Sequence, residues 1–284
     1  MMFDAASRSE TASLQPRARG SIAIAVKHDG TRSRLDRLRH QGSAKCLLPR
    51  GSEVPEGVIV NTAGGVTGGD RFAWSAETGT EAALTLTTQA AERVYRAQPG
   101  EIGQMTTRLT LGARSTLAWL PQETILYDRG ALDRRLAVEM AADATLLLLE
   151  PLILGRQAMG ETVTQAHFTD AWTVHRGGTL IFADTLRLSG PVAEIAARPA
   201  VLNGARATAS LLLAAPFAED RLAPARAALE SAMTADPGVE GGASAWDGML
   251  AARLVATDGL ALRRAVLSLV NTLAVAPVPR VWAT

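Results

Sequence analysis

The stretch ALTLTTQ, Ala83 to Gln89, places Leu84 and Leu86 on one phase and Thr85 and Thr87 on the other. An extended chain turns successive side chains to opposite faces, so this period of two predicts a strand with one buried face. The same rhythm recurs in SIAIAVK from Ser21, GVIVNT from Gly57, MTTRLTL from Met105, STLAWL from Ser115, RLAVEM from Arg135, TLLLLEP from Thr145, TVTQAHF from Thr162 and AWTVHRGGTLIFAD from Ala171. Strands about ten residues apart with turn signals between them predict a mainly β fold of stacked sheets, β-helix-like or sandwich-like. Val174 to Thr179 predicts a hairpin, because paired glycines reach the positive φ that primed turns require. Neither a repeat register nor a low-complexity segment is visible.

The last third changes character. Arg221 to Ala235 is alanine-rich, with Leu222, Leu229 and Met233 at roughly helical spacing. In Asp258 to Ala274 an aspartate stands at the N-cap, and Leu262, Val266, Leu269, Val270 and Leu273 make one helical face. Two α-helices are therefore predicted in the C-terminal third, closing the sheet. Residues 1–20 are polar and aperiodic and are expected to be a flexible segment, which leaves 21–284 as a single domain.

Composition excludes several function classes. A formal charge of +1 and 47% hydrophobic residues fit neither a nucleic-acid binder nor a disordered chain. Lys27 and Lys45 are the only lysines among 29 basic residues, an arginine bias that carries no functional weight. The single cysteine, Cys46, excludes an internal disulfide framework and reads as a small buried hydrophobe in a reducing compartment. The N-terminus has no basic stretch followed by an apolar one, and no apolar run is long enough to span a bilayer, so a cytoplasmic protein without a membrane partner is expected.

The segment NTAGGVTGGD, Asn61 to Asp70, suggests a phosphate cradle, since glycines after a strand can aim backbone N–H groups at an anion. The neighbouring residues argue otherwise. Gly69 is followed by Asp70 and Arg71 rather than Lys-Ser or Lys-Thr, Val66 stands where a dinucleotide loop needs glycine, and RFAWSAETG is not a helix. A β-corner of closely approaching backbone, with Asp70 accepting N–H bonds in the turn, suits these residues better.

NTAGGVTGGD resembles the Gly-Gly-x-x-Gly-Gly-Asp motif of the UreD (UreH) urease accessory protein family. TTQAAERVYRA (from Thr87), LAWLPQETILYD (from Leu117), EPLILGRQAMGE (from Glu150) and the closing PRVW (from Pro279) resemble further blocks of that family, in family order, over nearly the whole chain from about Arg34. The resemblance implies a non-enzymatic protein that acts with UreF and the GTPase UreG to deliver nickel into urease apoprotein. It also implies a mostly β fold with two helices and a water-filled passage proposed as the nickel route. No tightly bound cofactor is expected, only nickel in transit. The motif glycines Gly64, Gly65, Gly68, Gly69 and Gly155, together with Gln89, Tyr95, Arg96, Gln122, Glu123, Arg156, Arg280 and Trp282, become candidates for structure or partner contact.

The residues themselves bear on metal binding. His28, His40, His167 and His175 are scattered, without ligand spacing or a neighbouring cysteine. A metal in transit suits carboxylates and water rather than a closed cage of thiolates or imidazoles. Asp70, Glu92, Glu123, Asp128, Glu150 and Glu161 are the acids inside the family-like blocks, with Asp70 and Glu150 the expected passage lining. Glu150 ends an apolar run and so enters the interior, where a salt bridge to Arg93, Arg96 or Arg156 is the competing role. Interface composition at Arg280 and Trp282 stands beside a structural role as C-terminal anchor. The second functional reading is a β-rich hydrolase with Glu123 and Asp128 as paired carboxylates.

Overall fold

Strands that alternate between two sheets build this molecule. The computed structural model describes residues 16–283. In chain order the first strands are β1 (Arg19–His28), β2 (Ser33–Gly42), β3 (Ala44–Leu47), β4 (Glu56–Asn61), β5 (Arg71–Thr78) and β6 (Ala83–Thr88). There follow β7 (Glu92–Val94), β8 (Gly103–Leu111), β9 (Thr116–Trp119), β10 (Thr124–Leu126), β11 (Ala131–Met140), β12 (Thr145–Leu154), β13 (Ala166–Arg176) and β14 (Thr179–Gly190). The last part holds α1 (Val192–Ala197), β15 (Ala207–Ala214), α2 (Leu222–Ala235), β16 (Val239–Trp246), β17 (Met249–Ala256) and α3 (Gly259–Leu273).

One sheet runs β14-β13-β11-β8-β5-β1-β2, and the other runs β16-β17-β15-β12-β9-β6-β4-β3. From β1 through β13 the neighbours in the first sheet are parallel, as are β4, β6, β9 and β12 in the second. The chain therefore coils, each turn laying one rung on each sheet, and the short β7 and β10 form a third parallel ladder against β12. Side chains stack in columns between rungs: Leu84 lies on Leu117 and Leu117 on Leu146. No repeat shows in the sequence because the steps are unequal, residue 83 pairing with 116 but 116 with 145.

Two cores result. One fills the space between the sheets and the other lies between the second sheet and α2 and α3. Strand β12 serves both: Leu146 and Leu148 face the coil interior while Leu147 and Leu149 face the helices. That double burial explains the continuous apolar run where a one-faced strand would alternate.

The expected helices are present, with α2 beginning one residue later than expected. The Asp258 side chain caps α3 by accepting from the N–H groups of Leu260 (2.8 Å) and Ala261 (2.9 Å). The face of Leu262, Val266, Leu269, Val270 and Leu273 is buried. A third helix, the short α1, was not expected; it buries Val192 and Ala196 against the inter-sheet core. Gly177 and Gly178 turn the β13–β14 hairpin at φ 59° and 80°, the positive values a two-residue primed turn needs. β13 begins at Ala166 rather than Thr162, because Asp128 accepts from the N–H groups of Thr164 (2.7 Å) and Gln165 (3.1 Å) and holds that segment as a corner. Of the expected flexible segment, residues 1–15 lie outside the described residues, and β1 starts at Arg19.

The C-terminus is anchored. Trp282 is buried and donates from Nε1 to Thr87 Oγ1 (3.0 Å), while its carbonyl accepts from Arg263 Nη2 (2.7 Å). Replacing Trp282 by Ala is expected to cost about 3–5 kcal/mol through the cavity left behind, whereas Trp246→Ala, at a 39% exposed position, should change stability by less than about 0.5 kcal/mol. Urea unfolding of the two variants measures both.

Candidate functional site

The alternation that fills the coil interior with leucine also carries charges into it. In β11 the inward phase reads Leu132, Arg134, Leu136, Val138, Met140, and in β13 it reads Phe168, Asp170, Trp172, Val174. Parallel register sets Arg134 opposite Asp170. Along β12 the inward phase continues from Leu146 and Leu148 to Glu150.

These three charges meet. Arg134 grips Asp170 with two bonds, Nε to Oδ1 at 3.0 Å and Nη2 to Oδ2 at 2.7 Å. Its Nη1 donates to Thr124 Oγ1 (3.0 Å) and lies 2.6 Å from Glu150 Oε2, a contact of charge without hydrogen-bond alignment. Trp119 Nε1 donates to Glu150 Oε1 (2.8 Å), and Trp172 Nε1 to Asp170 Oδ2 (3.2 Å). The interior partner of Glu150 is thus Arg134, not Arg93, Arg96 or Arg156: those three side chains are exposed at the coil's corner.

One buried cation faces two buried carboxylates, so one carboxylate is under-compensated. Burial raises Glu150, Arg134 pulls it down, and Asp170 repels it, leaving its pKa at about 7. For Arg134 burial opposes the charge, but Asp170 and Glu150 outweigh it and keep the guanidinium charged.

A cavity of about 190 Å³ reaches this cluster. Its inner wall includes Trp74, Met105, Thr107, Trp119, Arg134 and Glu150, all buried, while Gly64, Gln89 and Arg93 at the other end are exposed. The space exceeds the roughly 10–15 Å³ that one water needs, and its wall offers polar partners. Glu92 stands in the lining beside Asn61, whose amide donates to both of its oxygens (3.2 and 3.3 Å). Burial raises Glu92 to about 7, against the lowering effects of Asn61, Arg93 and Arg134. Two acids poised near neutrality therefore border one passage from surface to interior.

The other expected residues fall into three places. Asp70 lies outside this cavity, buried at the glycine corner, where it accepts from the N–H groups of Ala18 (2.7 Å) and Thr67 (2.9 Å). The corner needs its glycines: a Cβ on Gly65 would stand 2.3 Å from the Tyr95 ring, and one on Gly68 2.6 Å from Glu101 Cβ. Of the loop's glycines only Gly64 lines the cavity mouth, with Gln89 and Gln122, whose Nε2 donates to the Gln89 carbonyl (2.7 Å).

Glu123 is tied to the helical side, accepting from Arg263 Nη1 at 3.0 and 3.2 Å. Asp128 is engaged by Thr164 and Gln165 at the corner, so the two carboxylates of the hydrolase reading hold separate structural ties. Tyr95, Arg96, Gly155 and Arg156 occupy the outer corner of the coils, and Arg280 is exposed, donating to the Arg50 carbonyl (3.2 Å). Cys46 is buried, which pushes its thiol up to about 11. Among the described residues no group of three or more His, Cys, Asp or Glu is placed to hold a metal, and no helix is long and apolar enough to cross a membrane.

Reasoning from sequence missed Arg134 and Asp170. The signal was present: each is a charge on the apolar phase of an alternating strand.

Comparison with known proteins bears on what this arrangement serves. A family model described as UreD urease accessory protein matches residues 18–283. The chain is 49% identical over 271 residues to the urease accessory protein UreD of Methylobacterium sp. (strain 4-46), covering 94% of this chain and 95% of the relative. It is 47% identical over 271 residues to that of Xanthobacter autotrophicus (strain ATCC BAA-1158 / Py2), covering 95% and 92%. To that of Ruegeria pomeroyi it is 50% identical over 199 residues, covering 70% and 77%.

The two acids with raised pKa values fix a pH dependence. Both have folded pKa values near 7, above the ordinary 4.5, so the stability they contribute is fully present below about pH 4.5 and lost as pH rises through about 7. Urea midpoints of the native chain should be lower at pH 8 than at pH 5, with a smaller gap in Glu92→Gln; equal gaps in the two proteins would contradict this. Arg134→Leu should cost about 3–5 kcal/mol at pH 8, where it strands two charges.

Proposed function

The chain belongs to the UreD urease accessory protein family, and on that footing we propose that it is a non-catalytic, cytoplasmic scaffold of urease maturation that works with UreF and the GTPase UreG and passes nickel toward the apo-urease active site. The observation that carries this reading is the cavity running from exposed residues at Gly64 and Gln89 to the buried Glu150.

The chemistry of the lining suits a metal in transit. Carboxylate and hydroxyl oxygens from Glu92, Glu150, Thr107 and Thr124 are hard ligands that hold a divalent ion through water, without the imidazoles and thiolates that would trap nickel. An acid with a pKa near 7 is a weak ligand at neutral pH, because a proton competes for the same oxygen. Glu92 meets the hydrated ion at the mouth. Deeper in, Arg134 repels a cation, so the ion's acceptance at Glu150 is electrostatically shallow and its departure fast. Trp74, Trp119 and Met105 make the rest of the inner wall apolar and keep the ion in contact with water and few protein atoms. In this reading Asp70 acts indirectly, fixing the corner whose first glycine borders the mouth.

The test is urease activity and urease-bound nickel in cells that express urease, its other accessory proteins and this chain. Omission of the chain should abolish both together. Glu92→Gln, at a partly exposed position, should lower both by about tenfold while the chain's melting temperature stays at or above that of the native protein. Undiminished activity in Glu92→Gln and in Glu150→Ala would remove the passage, and undiminished activity without the chain would remove the maturation role.

A further inference from the structure

Both tyrosines of the chain, Tyr95 and Tyr127, meet on one outer corner of the coils. They pack edge to face with ring centroids 5.2 Å apart, and the Tyr95 hydroxyl donates to the Gly64 carbonyl (3.2 Å). Arg156 lies over the Tyr127 ring at 4.4 Å. Tyr127 is bonded to the layer below through its N–H to the Val94 carbonyl (3.0 Å), and Gly155 to the layer of Tyr127 through Leu126 (2.8 Å). Three successive turns thus present one patch.

Its most exposed apolar residue is held in place. Met159 is 73% exposed on a single 3-10 turn, the largest exposure among the big apolar side chains of the described residues. Glu161 staples that turn: Oε2 accepts from the Arg156 N–H (3.0 Å) and Nε (2.8 Å), and Oε1 from the Asp128 N–H (3.2 Å). An apolar side chain carried in water on a stapled loop has no role in the chain's own core, and fixing it beforehand lowers the entropy cost of docking.

Arginines are the most exposed charges around it. Arg93, Arg96, Arg129 and Arg156 are all exposed here. Glu161 neutralises Arg156, and Asp128 lies 3.7 Å from Arg129, but among the described residues no carboxylate lies within ion-pair distance of Arg93 or Arg96. Arg93 also lines the cavity mouth, next to Glu92. Tyrosine, an exposed methionine and exposed arginines that form no ion pair among the described residues are the composition of an interface anchor.

We infer that this corner is a docking surface for an acidic segment of a partner protein, an apolar residue of which packs between Met159 and the Tyr95–Tyr127 pair while its carboxylates meet Arg93 and Arg96. The segment then lies beside the cavity mouth, so that docking and cargo entry occupy adjacent ground. The choice of probes rests on the maturation reading; the surface itself rests on the residues above.

The immobilised full chain is titrated in turn with UreF, UreG and apo-urease, at salt from about 50 to 500 mM. At least one probe should bind the native chain, more weakly as salt rises. Its affinity should fall about tenfold or more in the Arg93→Glu, Arg96→Glu double variant and in Met159→Glu. These exposed positions leave the core intact, which an unchanged melting temperature verifies. Equal affinity of both variants for every probe that binds overturns the docking surface and leaves the maturation role standing. Failure of all three probes to bind the native chain overturns the maturation role and this surface with it.

Discussion

A guanidinium clamped between two carboxylates inside an apolar coil is the constraint around which the rest is arranged. Arg134 sits in the interior with Asp170 on the next rung and Glu150 on the opposite sheet, and its charge cannot be left alone there. The bidentate grip on Asp170 fixes the register of β11 against β13: a slip of one residue would turn both side chains to the other face. Thr124 and the indole N–H groups of Trp119 and Trp172 supply the remaining polar partners. What they do not supply is a second cation. Burial and the excess negative charge raise the proton affinity of Glu150 against the pull of Arg134.

The same excess explains why polar space exists in this core at all. Leucines fill most of the coil interior to closure, as the column Leu84, Leu117, Leu146 illustrates. One column along, Thr107 is followed by Leu136 and Trp172, and beside it Met105 pairs with Arg134 and Arg134 with Asp170. Hydroxyls, an indole and charged groups cannot close against one another as methyl groups do without losing hydrogen bonds, so space is left next to them. The cavity ends at this polar column, and its mouth opens where the glycine corner keeps bulk away.

Much of this was legible from periodicity. ALTLTTQ and MTTRLTL are strands as their period implies, although β6 buries its Thr85 and Thr87 phase as well as its leucines; the capping aspartate and apolar face located α3, and Gly177-Gly178 located a hairpin. β15 and β17 carry no clear sequence signal, because both are buried between strand neighbours, and unequal rung spacing is what keeps the β-helix-like reading from being preferred to the sandwich-like one. In the site, Glu150 could be placed in the interior because it follows TLLLL, but its partner could not be named. A pairing between residues 134, 150 and 170 is set by which rungs neighbour which, and that is a property of corners, whose lengths carry no hydrophobic signal. Asp70 shows the converse: its glycine-rich setting was plain in the sequence, while its saturation by two backbone N–H groups depends on Ala18, far upstream.

The coil architecture also accounts for where exposed and buried functions lie. In a parallel solenoid each corner repeats at the same height, so residues from three distant segments, such as Tyr95, Tyr127 and Arg156, come to one surface without any of them being near in sequence. Glu92 opens β7 and Glu150 lies within β12, so each carboxylate stands a few residues of strand from a corner. This corner is thereby connected to the polar interior by a few residues of strand: Arg93 is exposed one position from Glu92, which borders the cavity. Occupancy of Arg93 by a partner's carboxylate would withdraw a positive influence from Glu92 and raise its proton affinity further, whereas a cation in the mouth would lower it. A carboxylate docked on Arg93 and a cation in the mouth would therefore act on the same acid in opposite directions, a coupling that would follow from adjacency alone.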